Sequence, residues 1–295
     1  MKSKLTKLII ITFFLLIYLK KDLMYVTIYK TTIIWFKNII PNLFPMFIIT
    51  SLIVESNLII NICNLFGNSF SRIFKTSKYG IFVFILSLFT GSPSNAKYIN
   101  DLVNKNLITI DEGNKLLLFS SNYNPLLIYS LLTLFLDSNT SIMIILIVIL
   151  SNLIIGLLNR NIEVNSINFG YQKGKINLSK IIKETIDTLL MILGTLIVFN
   201  IIINIIPINN LIIKNILNGG LEITTALNGL NYLNISTHIK ILLSVIYLSF
   251  GGLSIHTQIK SIFKDTNYNL FLKNRFYSII ISIMILIIFH SMKLL

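Results

Sequence analysis

The chain has a single cysteine, Cys63, so it holds no internal disulfide. Cys63 lies in an apolar stretch, where a buried or lipid-facing thiol is expected. Charge is scarce: Asp, Glu, Lys and Arg make up 12% of the residues, about half the share in a typical soluble domain. Acidic side chains are the scarcer kind, 11 against 25 basic ones. The three histidines, His238, His256 and His290, form no H-E-x-x-H pair, and no Cys/His metal spacing occurs. Neither a G-x-S-x-G elbow nor a P-loop is present. These gaps argue against an enzyme and give no cofactor to expect. Whether an ion couples to the protein's work stays open.

What is abundant is apolar: 54% of the residues are hydrophobic. Several runs approach the roughly 20 residues that a membrane helix needs. The expected class is an all-α multi-pass membrane protein, with the lipid bilayer as its partner. The formal charge of +14 fits lysines and arginines gathered at span ends. Basic residues flank both sides of several spans, so the positive-inside rule leaves orientation open. No basic stripe with interleaved aromatics points to nucleic acid. A basic channel that draws anionic solutes is a further reading. Isoleucine and asparagine are common throughout, as codon bias would make them, and an isolated asparagine carries little weight.

Along the chain, residues 1–40 read as an N-terminal span or anchor over 8–19, then an interfacial helix rich in aromatics and lysines. A first repeat is expected over 41–158, a polar connection over 159–183 and a second repeat over 184–295. Pro41 to Leu65 reads as a span. Thr109-Ile-Asp-Glu112 reads as a capping box. Pro125 interrupts the helix that follows, because proline removes a donor and pushes its predecessor out of helical geometry. Gly91 is expected to correspond to Gly252.

Two polar interruptions stand out, Gly91-Ser-Pro-Ser-Asn-Ala-Lys97 and Gly251-Gly-Leu-Ser-Ile-His-Thr-Gln258. Each follows an apolar run too short to finish crossing a bilayer, which is a pointer to a transporter site. Ser92 can cap a helix whose first residue is Pro93. The backbone N–H groups of Ser94, Asn95 and Ala96 would then face an anion, with Lys97 one turn inside. Ser254 can cap a second helix that carries His256 and Lys260 on one face. Asn122, Asn124 and Glu222 are polar or ionisable groups among apolar neighbours, and such groups are candidates for function. The site so drawn holds Ser92, Ser94, Asn95, Lys97, Asn122, Asn124, Glu222, Ser254, His256 and Gln258, and its solute is a small anion. In the plainer reading, each break is an interfacial loop whose lysine reaches headgroups.

These motifs, with Glu112-Gly113, Asn122-x-x-Pro125 and Leu221-Glu-Ile-Thr224 in order between them, resemble the sporulation integral membrane protein YlbJ family. The resemblance spans about residues 30 to 290. The family pattern has glycine where Asn95 and Asn124 stand. The resemblance implies two gate-type ("nucleoside recognition") repeats with broken helices and re-entrant hairpins, similar to concentrative nucleoside transporters. It also implies transport of dipicolinic acid, a small aromatic dicarboxylate, across the outer forespore membrane. A non-transporting envelope protein and a nucleoside or other small-solute carrier are the alternatives.

Overall fold

The computed structural model describes residues 15–56, 58–164 and 176–292. Most of the expected span over 8–19, and the middle of the polar connection, lie outside these residues. Among the described residues the regular elements are helices. Helix α1, Lys21–Ile34, passes through a π-helical turn, Trp35–Ile39, into α2, Ile40–Glu55. The widened turn lies directly ahead of Pro41, which cannot donate to the regular ladder. The stretch expected to lie in the interface is therefore the first half of a 35-residue helix, Lys21–Glu55. That helix ends at Glu55 because Ser56 is extended, with ψ at 161°.

Helix α3, Leu58–Phe74, buries Ile59, Cys63, Phe70 and Phe74 at helical spacing and exposes Asn61 and Asn64. It precedes α4, Gly80–Thr90, α5, Ser94–Asn104, α6, Ile110–Phe119, α7, Pro125–Leu132, and α8, Ser138–Leu158. The second half holds α9, Leu178–Ile205, α10, Leu211–Leu221, α11, Ile223–Leu230, α12, Thr237–Phe250, α13, Gly252–Ile262, and α14, Tyr268–Ser291. Five helices among the described residues are long and apolar enough to cross a membrane, with α12 and α13 forming one of them across Gly251.

One order occurs twice: a pair of short helices, an interrupted helix, then a long helix. It reads α4–α5, α6–α7, α8 in the first half and α10–α11, α12–α13, α14 in the second, with starts about 130 residues apart. The break after Gly91 thus corresponds to the one at Glu222, and the break at 120–124 corresponds to Gly251. The expected match of Gly91 with Gly252 is corrected. Both carry glycine for a backbone reason, a positive φ, but they end different kinds of element.

Side chains fix which loops share an end of the bundle. Lys115 is buried in α6, and its ammonium donates to the carbonyls of Lys75, Arg160 and Ile162 at 2.8 to 3.0 Å. Only half of the expected capping box forms: Thr109 Oγ1 accepts from Glu112 N, while the Glu112 carboxylate accepts from Ser77 N. Asn114 donates to Asp265 O and accepts from Asn267 N. Loops 75–79, 159–164 and 263–267 therefore gather round the start of α6. Lys105 pairs with Glu55 at 2.7 Å and brings loop 105–109 to that end. At the opposite end Lys240 lies over the Phe135 ring, His238 meets His290, and Lys20 donates to Ile205 O. Two apolar clusters lie between these ends, one around Phe47, Tyr98 and Phe119, the other around Leu132, Ile144 and Val245.

Candidate functional site

The interruptions converge on one cavity of about 320 Å³, within the range of small-molecule sites. The α4–α5 break contributes Thr90, Ser92 and Pro93, and the α6–α7 break contributes Tyr123 and Asn124. The α10–α11 tip contributes Glu222, Thr224 and Thr225, and α13 contributes Ile255 and Gln258. The long helices close the rest with Thr31, Asn38 and Asn42 on one side and Ile192, Leu196 and Asn200 on the other.

The first two breaks are docked on each other through the backbone. Gly91 has φ of 75° and forms an isolated bridge with Tyr123. A Cβ at Gly91 would stand 2.3 Å from Asn124 N. Ser92 N donates to Asn122 O at 2.7 Å. Ser92 does not cap α5 as expected: that helix starts at Ser94, Pro93 holds the cap position, and no side chain caps it. Asn124 is the cap of α7, accepting from Leu126 N and Leu127 N at 3.0 and 3.1 Å, with Pro125 at the first position. Neither Asn95 nor Asn124 needs the left-handed backbone that glycine would permit; Asn95 is helical and Asn124 has φ of −59°. Behind the cavity, Asn95 donates to the hydroxyls of Ser120 and Ser121. Asn122 donates to Ser87 and accepts from Asn152. These buried amides join the breaks to each other without lining the cavity.

The third break is held by a carboxylate. Glu222 is 2% exposed, and it accepts from Thr224 N at 3.1 Å, Thr225 N at 2.7 Å and Thr224 Oγ1 at 2.7 Å. An acidic cap suits the positive end of the α11 dipole and satisfies donors that lipid could not. Among the described residues that line the cavity, Glu222 is the one with a charge. A polar chain continues from the tip: Thr225 Oγ1 donates to Asn200 Oδ1, and Asn200 Nδ2 donates to Thr31 Oγ1.

At the fourth break Gly251 and Gly252 have φ of 100° and 62°. Helix α13 begins at Gly252, so Ser254 lies inside its first turn and does not cap it as expected. Ser254 accepts instead from Gln258 Nε2 at 3.2 Å. Gln258 reaches the cavity, whereas His256 turns away, with its ring nitrogens on Phe250 O and the Tyr268 hydroxyl. Lys97 is also absorbed elsewhere. Its ammonium meets Asp101 at 2.9 Å and Ser51 at 3.0 Å and lies over the Phe47 ring. It stands on the side of α5 that packs against α2, not at the helix start where an anion would sit.

Of the expected site residues, Ser92, Asn124, Glu222 and Gln258 line the cavity; Ser94, Asn95, Lys97, Asn122, Ser254 and His256 do not. Thr31, Asn38 and Asn42 were not anticipated. Their spacing of seven and four places them on one helical face, a signal hidden by the general abundance of asparagine. Thr225, Asn228 and Asn200 line the cavity as well.

No family model matches the chain, and no solved structure matches it. The sporulation integral membrane protein YlbJ of Bacillus subtilis (strain 168) is 24% identical over 281 residues, covering 79% of this chain and 69% of its own. Taken with the five described helices long and apolar enough to cross a membrane, this makes the chain a multi-pass integral membrane protein related to the YlbJ sporulation proteins.

Proposed function

We propose that the protein is a transporter, not an enzyme, and that it carries a small polar solute across a membrane during sporulation. The observation that carries this reading is the meeting of four interrupted elements at one cavity. Interrupted backbone at membrane depth costs several kcal/mol per unsatisfied group unless protein or a polar cavity receives it. Here caps and cross-break bonds receive it, and the faces left over point hydroxyls and amides at the cavity. Opposed helix pairs and interrupted helices are the parts from which carriers build a central site. In this reading α4–α5 and α10–α11 are re-entrant hairpins of two inverted gate-type repeats.

Dipicolinic acid, moved across the outer forespore membrane, is the solute that the resemblance implies. The cavity adds a condition. Its N-terminal donors at α7 and α11 are already taken by Asn124 and Glu222, and its one charge is negative. A bare dianion would meet repulsion there, so a dicarboxylate must enter with protons or a cation. The Glu222 carboxylate with Thr, Asn, Gln and Tyr groups around it equally favours a neutral hydroxylated solute, such as a nucleoside. Uptake by the purified protein in liposomes separates these readings. Saturable dipicolinate uptake that requires a proton or cation gradient supports the first, and nucleoside uptake supports the second. Uptake of neither, with folded protein, leaves a structural role in the spore envelope.

A further inference from the structure

The two ends of the bundle differ in charge in a way that only the fold reveals. Every described loop gathered round the start of α6 carries a basic residue: Lys75 and Lys78 in 75–79, Lys105 in 105–109, Arg160 in 159–164 and Lys264 in 263–267. The loops at the opposite end, 133–137, 206–210 and 231–236, contain no lysine or arginine. In sequence order the two kinds of loop are interleaved, which is why counting along the chain shows basic residues on both sides of several spans.

Helix ends follow the same division. Lys180 and Lys183 open α9 at the basic end, and its other terminus, Ile205, lies at the poor end. Lys260 and Lys273 flank loop 263–267, each over a tyrosine ring, Tyr268 and Tyr277. Lys78 lies over Tyr79 in the same manner. Paired lysine and tyrosine at a helix end anchor it at headgroup depth. The poor end has Lys20 in the turn ahead of α1, Lys21 at the start of α1, Lys214 in α10 and Lys240 in α12, and none in loops 133–137, 206–210 and 231–236. Lys30 and Lys37 stand farther along α1–α2 on its exposed side.

We infer that the end bearing loops 75–79, 105–109, 159–164 and 263–267 faces the cytoplasm, against the anionic leaflet, and that loops 133–137, 206–210 and 231–236 face the far side. Retention of basic loops on the cytoplasmic side sets the orientation of multi-pass proteins, and short loops are the ones that count. The helix pair α4–α5, with Ser92 at its tip, then opens from the cytoplasmic side. The pair α10–α11, whose tip is Glu222, opens from the far side. The cavity's one carboxylate is thus held by the element rooted opposite the cytoplasm. This orientation does not depend on whether the protein transports.

Single cysteines test it in the full chain. Cys63 is fully buried, so Cys63→Ala serves as the background; if that change fails to fold, the native chain with its buried thiol serves instead. Asn209→Cys and Asn234→Cys report the poor end, and Glu163→Cys and Asp265→Cys report the basic end; all four positions are exposed. Intact, non-sporulating cells that express the protein in their plasma membrane are treated with a membrane-impermeant maleimide, then lysed and treated again. The expected result is modification at 209 and 234 in intact cells, and at 163 and 265 only after lysis. Modification at 163 or 265 in intact cells, alone or together with the other pair, overturns the inference. Protection of 209 and 234 until lysis overturns it too.

Discussion

The two helix-pair tips solve one problem differently. Each must end a short helix and start another among apolar neighbours, where every unpaired N–H is costly. The α4–α5 tip does it with backbone: Gly91 takes a positive φ, bridges to Tyr123, and Ser92 N reaches Asn122 O. The α10–α11 tip does it with a side chain, the Glu222 carboxylate folded over its own helix start. The first tip is therefore wired into a neighbouring break and is neutral. The second is self-contained and brings a charge to the cavity. The difference separates a fixed wall from the group that sets the cavity's chemistry.

Gly91→Ala should break that contrast most severely. The added methyl meets backbone at 2.3 Å on a residue with φ of 75°, so about 3 kcal/mol of stability is expected to be lost. Thermal unfolding in detergent reads it. Gly220→Ala, on the self-contained pair, has no heavy atom within 4 Å of the new methyl and sits in a helix. It should be neutral or stabilise by about 0.5 kcal/mol. A similar loss in both variants would erase the distinction between the tips.

Lys97→Met sharpens the comparison from outside the cavity. Asp101 would be left beside Ser51 without its cation, at an expected cost of about 2 kcal/mol, discounted because Asp101 is partly exposed. Lys97→Met with Asp101→Leu should recover most of that cost. Solute uptake by the double variant should match the native protein, since neither side chain lines the cavity. A selective loss of uptake in a stable double variant would return Lys97 to the site.

Glu222→Ala removes a cap and should cost about 1 to 2 kcal/mol. Asn124→Ala, at the α6–α7 break, removes a neutral cap and should cost about 1 kcal/mol by the same unfolding measurement. The smaller effect expected at Asn124 reflects two accepted hydrogen bonds there against three at Glu222.

The places where the helices stop were legible, because glycine, proline and short polar residues act locally on the backbone. Gly91, Asn124-Pro125 and Gly251 mark breaks in the structure, whereas Gly219, Gly220 and Gly229, where breaks are also expected from the sequence, lie inside α10 and α11, and the break falls at Glu222 between them. The direction of each side chain was not legible. Lys97 was drawn toward an anion at the helix start, but α2 offers Ser51 and Phe47 on that side of α5, and Asp101 follows one turn later. Ser254 has the residue type of a cap, but Gly252 is already the first residue of α13 and leaves Ser254 inside the first turn. The Thr31, Asn38 and Asn42 face became visible only when α1 and α2 proved to be one rod facing α9. The pairing of the halves failed for a similar reason: a glycine records a local φ, while correspondence is set by the order of whole elements.

The claim that the meeting of the breaks is a solute site centred on Glu222 is tested most directly by liposome uptake of dipicolinate and of a nucleoside. Native protein, Glu222→Gln, and Lys97→Met with Asp101→Leu would be compared under imposed proton and cation gradients. The account predicts uptake by the native and double-variant proteins, and at least a tenfold loss in Glu222→Gln, or a loss of its dependence on the gradient, with the fold intact. Unchanged uptake and unchanged gradient dependence in a folded Glu222→Gln protein would contradict it.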